Sequence, residues 1–199
     1  MRTANPDAPA KRKIVAAARE LMLAKGYNDT SVDEICKQSG VAKGSFFHYF
    51  KDKEAVATAA LECFTHEKGA QLAQYGKGES DPLERILKMI DGSIRMSKSP
   101  GFKGCLMGTV LQETSRTHPR IREACCAGLE RGYGFFEKEF KSAKAMHAPK
   151  SEMDPRKMAE FFMSVTQGSF LLAKAQQNPK IIETKLKMLE DYLCHTFRK

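Results

Sequence analysis

The sequence predicts an all-α fold of about nine helices, with a small N-terminal head at residues 1–52 and a larger helical body at residues 53–199. Three observations predict it. No stretch alternates apolar and polar residues with the two-residue period of a half-buried strand, while apolar residues recur three and four apart along most of the chain. Helix-start signals, each a capping side chain followed by a proline or a carboxylate, stand at Ser31–Glu34, Asp81-Pro82-Leu83-Glu84 and Asp154-Pro155. Glycine or proline breaks the pattern at Gly26, Gly40, Gly76–Gly78, Pro100-Gly101 and Pro149.

Met1 to Asn5 reads as a loose basic arm. Asp7 or Pro9 can open the first helix, whose stripe is Ile14, Ala17, Ala18, Leu21 and Met22, and Gly26 stops it. Lys11, Arg12 and Lys13 stand at its start, either as contacts to a polyanion or as solvated charges. A second helix of about two turns follows Ser31, whose hydroxyl caps free amides while Glu34 answers from the third helical position. Ile35 and Val32 point inward, Asp33, Lys37 and Gln38 outward, and Gly40 suits a left-handed end from which Val41 drops into the core.

The next helix, Lys43 to Tyr49, is unusual. Phe46 and Phe50 share one face and pack inward. Lys43, Ser45, His48 and Tyr49 are left outside with Phe47 at the edge, a set suited to phosphates and base edges. Two short helices around a tight turn, the second carrying such a face, make a helix-turn-helix.

Asp52 caps a longer helix from Lys53 to about Tyr75, with Val56, Ala60, Cys63 and Phe64 inward. The helix after Asp81 carries Ile86, Ile90 and Ile94 to about Lys98. Another runs from near Gly104 to about Ser115, and His118-Pro119 opens a long one with the stripe Ile121, Cys125, Leu129, Gly132, Phe136 and Phe140. The last two start at Asp154-Pro155 and Asn178-Pro179. Both are apolar over a wide arc, through Met158, Phe161, Phe162, Val165 and Leu172 and through Ile182, Leu186, Leu189 and Leu193. Gly168, Ser169 and Ala173 would let a second backbone approach. This pair is expected to form a four-helix interface in a two-fold homodimer; the alternative is a hairpin inside a monomer core.

The formal net charge of +9 favours a polyanionic partner. No apolar run approaches the roughly 18 residues of a membrane helix, and no signal-peptide pattern is present, so a soluble cytoplasmic protein is expected. The six cysteines, Cys36, Cys63, Cys105, Cys125, Cys126 and Cys194, match no zinc-ligand spacing. Nor is there a nucleophile beside a base or a phosphate loop. Neither enzymatic activity, a metal nor a cofactor is expected, and Glu113 and Glu123 read as solvated surface.

Thr30 to Val56, with GVAKGSFFHYFKDKEAV at its centre, resembles the DNA-binding head of the TetR/AcrR family of transcriptional regulators. The resemblance implies a homodimeric, ligand-responsive repressor that binds a palindromic operator in double-stranded DNA. It also implies that Ser31, Lys43, Gly44, Ser45, Phe47, His48, Tyr49 and Lys53 contact DNA. Position 47 is more often Tyr in the family, so Phe47 lacks a phosphate-binding hydroxyl. The body resembles a NemR-like subgroup through GCLMGTVLQE at Gly104 to Glu113, where the sensing thiol of that relative, though not of all relatives with the same Gly-Cys, corresponds to Cys105. A thiol in a helix's first turn beside Lys103 can be held as a thiolate; a small residue closing a tight turn explains Cys105 as well.

In this architecture a small-molecule effector lies among the body helices. Candidate lining residues are Met89, Phe102, Cys105, Met107, Gln112, Tyr133, Phe136, Phe162, Thr166, Gln167 and Phe170, a set that favours an apolar or aromatic effector. Two other readings stay open, a thiol-based electrophile or oxidant sensor switching through Cys105 and an architectural DNA-binding protein without an effector.

Overall fold

A computed structural model describes residues 9–198; the arm at residues 1–5 and Asp7 lie outside them. Among the described residues there are nine helices and no strand: α1 (Pro9–Lys25), α2 (Val32–Ser39), α3 (Lys43–Tyr49), α4 (Lys53–Tyr75), α5 (Pro82–Ser97), α6 (Leu106–Thr114), α7 (Pro119–His147), α8 (Pro155–Ala175) and α9 (Lys180–Phe197). None of these helices is long and apolar enough to cross a membrane.

Helix boundaries follow local chemistry. Extended backbone at Ser31 lets its hydroxyl accept from the Glu34 N–H at 3.2 Å, and Glu34 Oε2 accepts from the Ser31 N–H at 2.9 Å. Two orphan amides are satisfied reciprocally. Asp81 accepts from the Leu83 N–H at 2.8 Å, and Asp154 from the Arg156 N–H at 2.8 Å, each with proline at the first helical position. Gly40 closes α2 at φ 66°, where a side chain would meet the following carbonyl. Cys105 is the N-cap of α6, in extended backbone, rather than a member of its first turn, because the chain reaches it through Gly104 at φ 90°.

The chain forms two compact units. The first takes the described residues through His66 together with Cys105–Gly128. In it α1 packs against α2, α3 and α6, and α2 against α3. Ile14, Ala18, Met22, Ile35, Phe46, Val56, Ala57 and Ala60 are fully buried there. Val41 does not enter this core as the sequence predicts. It is half-buried, as are Leu21 and Cys63, because the turn after Gly40 leaves it at the rim.

The second unit takes Glu67–Gly104 and the described residues from Leu129 on, with α9 packed against α5 and α8. Its core joins Ile86, Ile90, Phe136, Phe140, Met158, Phe162, Ile182, Leu186, Leu189 and Leu193. Phe136 and Phe162 lie 4.2 Å apart by ring centroids, and Phe140 stacks on Phe197 at 6.2 Å and 7°. Leu129 and Val165 are half-buried rather than central.

Along α8 the structure corrects one expectation. Ser169 and Ala173 are buried with Met158 and Phe162, spaced as one inward stripe, so they cannot receive a partner's backbone. Phe161, Leu171 and Leu172 are the exposed apolar residues of α8, and Met188 and Tyr192 those of α9. Phe161 and Tyr192 touch edge to face at 5.4 Å, which lays the two stripes side by side. Gly168 is half-buried, with no atom within 4 Å of an added Cβ.

Candidate nucleic-acid interface

The candidate surface on α3 is built on two anchored rings. Phe46 is fully buried and Phe50 nearly so, 5.8 Å apart, so the inner face of α3 is pinned to the core. Burying a Phe contributes roughly 1.5–3 kcal/mol, enough to hold a seven-residue helix that could not stand alone. Lys11 lies 5.8 Å over the Phe50 ring and ties the start of α1 to the end of α3.

The opposite face of α3 is open. Lys43, Gly44, Ser45, Phe47 and His48 are exposed, with half of Phe47 in solvent although its edge meets Phe46 at 5.2 Å. Tyr49 is half-buried and packs edge to face on His48 at 4.9 Å. Nothing lies within 4 Å of an added Cβ at Gly44, so a duplex backbone can approach there. Together these side chains offer a cation, a hydroxyl, an imidazole and an apolar ring over two turns, the inventory that base edges and thymine methyls require.

Three of the sequence-predicted residues have commitments within the protein: Ser31, Lys53 and, through its ion pair with Asp33, Lys43. The Ser31 hydroxyl belongs to the capping box. The Lys53 ammonium turns toward the turn after α1, donating to the Tyr27 carbonyl at 2.9 Å and lying 4.2 Å from that ring. Burial lowers its pKa, opposed by the charges of Glu113 and Asp29. Burial, followed by the charges of Glu54 and Asp52, pushes the Tyr27 phenol up to about 12.

Sequence reasoning missed the residues that support this surface. Glu113 on α6, read as solvated, accepts from the Asn28 N–H at 2.8 Å. Arg120 on α7 donates to Asp52 at 3.0 Å and to Glu54, so it grips the N-cap of α4. His118 meets the Tyr27 ring at 4.8 Å. Asp33, read as an outward charge, pairs with Lys43 at 2.7 Å. No local pattern signals a partner 85 residues away, as Glu113 is from Asn28.

The effector candidates divide between the two units. In the second, Met89, Phe136 and Phe162 join its buried core, with Phe102 and Phe170 packed on it 5.5 Å apart. Tyr133 is half-buried under the Arg156 guanidinium at 4.7 Å, and the Thr166 hydroxyl donates to the Phe162 carbonyl at 2.9 Å. Gln167 is half-buried. Cys105, Met107 and Gln112 belong to the first unit, the first two buried and Gln112 exposed with its amide bonded to the Gly108 carbonyl at 3.0 Å. His147 pairs with Asp81 at 2.9 Å. Among the described residues no cluster of His, Cys, Asp or Glu could hold a metal ion.

Comparison with known proteins agrees with this geometry. Residues 14–65 match the profile described as bacterial regulatory proteins, tetR family, and residues 82–189 match the tetracyclin repressor-like C-terminal domain. The chain is 32% identical over 177 residues to the transcriptional regulator AcuR of Cereibacter sphaeroides, covering 87% of this chain and 81% of that protein. It is 24% identical to the HTH-type transcriptional repressor NemR of Escherichia coli, covering 92% and 94%. The crystal structure of a regulatory protein TetR from Rhodobacter sphaeroides superposes with a TM-score of 0.79 at 28% identity, over 92% of this chain and 98% of that one. The reduced form of E. coli NemR superposes with a TM-score of 0.83 over 92% and 96%. With both halves of the chain matched and a relative 32% identical over most of its length, the protein belongs to the TetR family of DNA-binding transcriptional regulators.

Proposed function

We propose that the protein is a homodimeric repressor that binds a palindromic operator and is released by a small apolar or aromatic effector. Residues 1–52 would carry DNA recognition, and residues 53–199 effector binding and dimerisation. The observation that carries this reading is the exposed face of α3, with Lys43, Ser45, Phe47 and His48 outside while Phe46 and Phe50 anchor it. Each dimer places one recognition helix in each of two successive major grooves, so half-sites lie about one helical turn apart. Lys43→Ala is expected to lower the slope of log affinity against log salt by about one per protomer, and Ser45→Ala to change sequence preference. Anisotropy on a selected and a scrambled duplex checks both. Equal effects of the two variants on both duplexes would remove α3 from the recognition role, and a preference ratio near one in the wild type would favour an architectural protein.

The exposed stripes of α8 and α9 support the dimer. Leu172→Glu introduces a charge that two-fold symmetry places in the interface twice. It should weaken association by at least about a hundredfold, read by sedimentation equilibrium. An unchanged dimer would move the interface elsewhere.

Phe102 and Phe170, partly buried and 5.5 Å apart at the edge of the second unit's core, support an apolar effector, since aromatic rings reward burial of apolar surface. Covalent sensing at Cys105 receives less support. That thiol is only 8% exposed, so an electrophile in solution has little access to it.

A further inference from the structure

The ion pair of Asp33 and Lys43 lies on the face proposed to meet DNA, and the role inferred for it rests on that reading. The pair is 2.7 Å long, with 73% of the Asp33 side chain and 58% of the Lys43 side chain exposed. A pair so open to water adds little to the stability of the fold, because solvent screens it and the long Lys43 side chain loses freedom to make it. A carboxylate in that position, however, opposes every phosphate that approaches. The neighbouring acids are engaged within the head: Glu34 by Ser31 and by Lys25 at 2.6 Å, and Glu20 by Gln38 at 2.8 Å. Asp33 instead reaches across the turn from α2 to the first residue of the recognition helix. Its effect therefore falls on binding more than on folding.

We propose that Asp33 is a specificity-determining residue, which holds the Lys43 ammonium against α2 and yields it only to DNA that presents a guanine edge at the start of the recognition helix. One phosphate oxygen offers Lys43 what the carboxylate already provides, so exchange on random DNA gains little. The paired O6 and N7 acceptors of guanine, beside their own phosphate, offer more. On random sequence Lys43 stays with Asp33 and displaces no counterion from the duplex; on the operator it transfers and displaces one. The same carboxylate, once released, can accept from a cytosine amino group in the adjoining base pair.

The test uses the full-length dimer, a duplex enriched from a random library and a scrambled duplex of equal composition, with affinities measured over a salt series. Asp33→Asn frees Lys43 for any phosphate. Affinity for the scrambled duplex should rise about fivefold at low salt, and the slope against log salt should steepen by about 0.9 per protomer. Affinity for the enriched duplex should change less, so the ratio between them falls, and Asp33→Glu should restore it. In a Lys43→Met background, Asp33→Asn should leave the slope unchanged. An unchanged ratio in Asp33→Asn would overturn the proposal. So would the same shift in the Lys43→Met background, which would make Asp33 a simple repeller of phosphate. Failure of the wild type to enrich any sequence would instead sink the regulator reading itself.

Discussion

Phe140→Ala should lower unfolding free energy by about 3–5 kcal/mol, the range for truncating a fully buried aromatic ring. Phe140 has no exposed surface, and its ring stacks on Phe197 at 7° and meets Phe162 at 6.0 Å. Helices α7, α8 and α9 each supply a ring to this contact, so no single helix can shift to fill the gap. The cavity term adds to the lost transfer energy. Calorimetry should show the melting temperature falling by about 10 °C. Phe140→Leu keeps most of the volume and should cost less than half as much. A loss under about 1 kcal/mol for alanine would show that the ring cluster is not the keystone of the second unit.

Gly26→Ala should cost about 3–4 kcal/mol, large for one added methyl group. Two effects combine. Gly26 sits at φ 89°, where an L residue is strained by roughly 1–2 kcal/mol. An added Cβ would also stand 2.0 Å from Glu113 Oε1, so the carboxylate must swing away from the Asn28 N–H it accepts from. A hydrogen bond to a charged group contributes about 1.5–3 kcal/mol. Glu113→Ala alone should cost the second part only, and adding Gly26→Ala to it should cost the backbone strain only. Urea titration of the three variants measures this directly. Strict additivity would mean that the two residues do not share one contact.

The starts of α2, α5 and α8 were legible because each is written within four residues, in Ser31 with Glu34 or in a capping aspartate with the proline after it. The exposed face of α3 was legible for the same reason, since Phe46 and Phe50 one turn apart leave Lys43, Ser45 and His48 no inward position. What the sequence hides depends on distant partners. Glu113 has the composition of a surface residue and becomes a strut only because folding brings Asn28 to it. Lys53 looks like one more phosphate contact until the Tyr27 carbonyl is found within its reach. Ser169 and Ala173 are small, and small residues suit a buried stripe and a partner-facing one equally; only the turn of α8 decides between them.

The first compact unit is made of two stretches of chain, and this bears on how such regulators can be recombined. A chimera that grafts residues 1–52 onto another body leaves behind Glu113, His118 and Arg120, which hold Asn28, Tyr27 and Asp52. The compact unit to which these contacts belong takes the described residues through His66 together with Cys105–Gly128. An engineer exchanging DNA specificities would have to carry Glu113, His118 and Arg120 along with the head, or supply their equivalents in the new body.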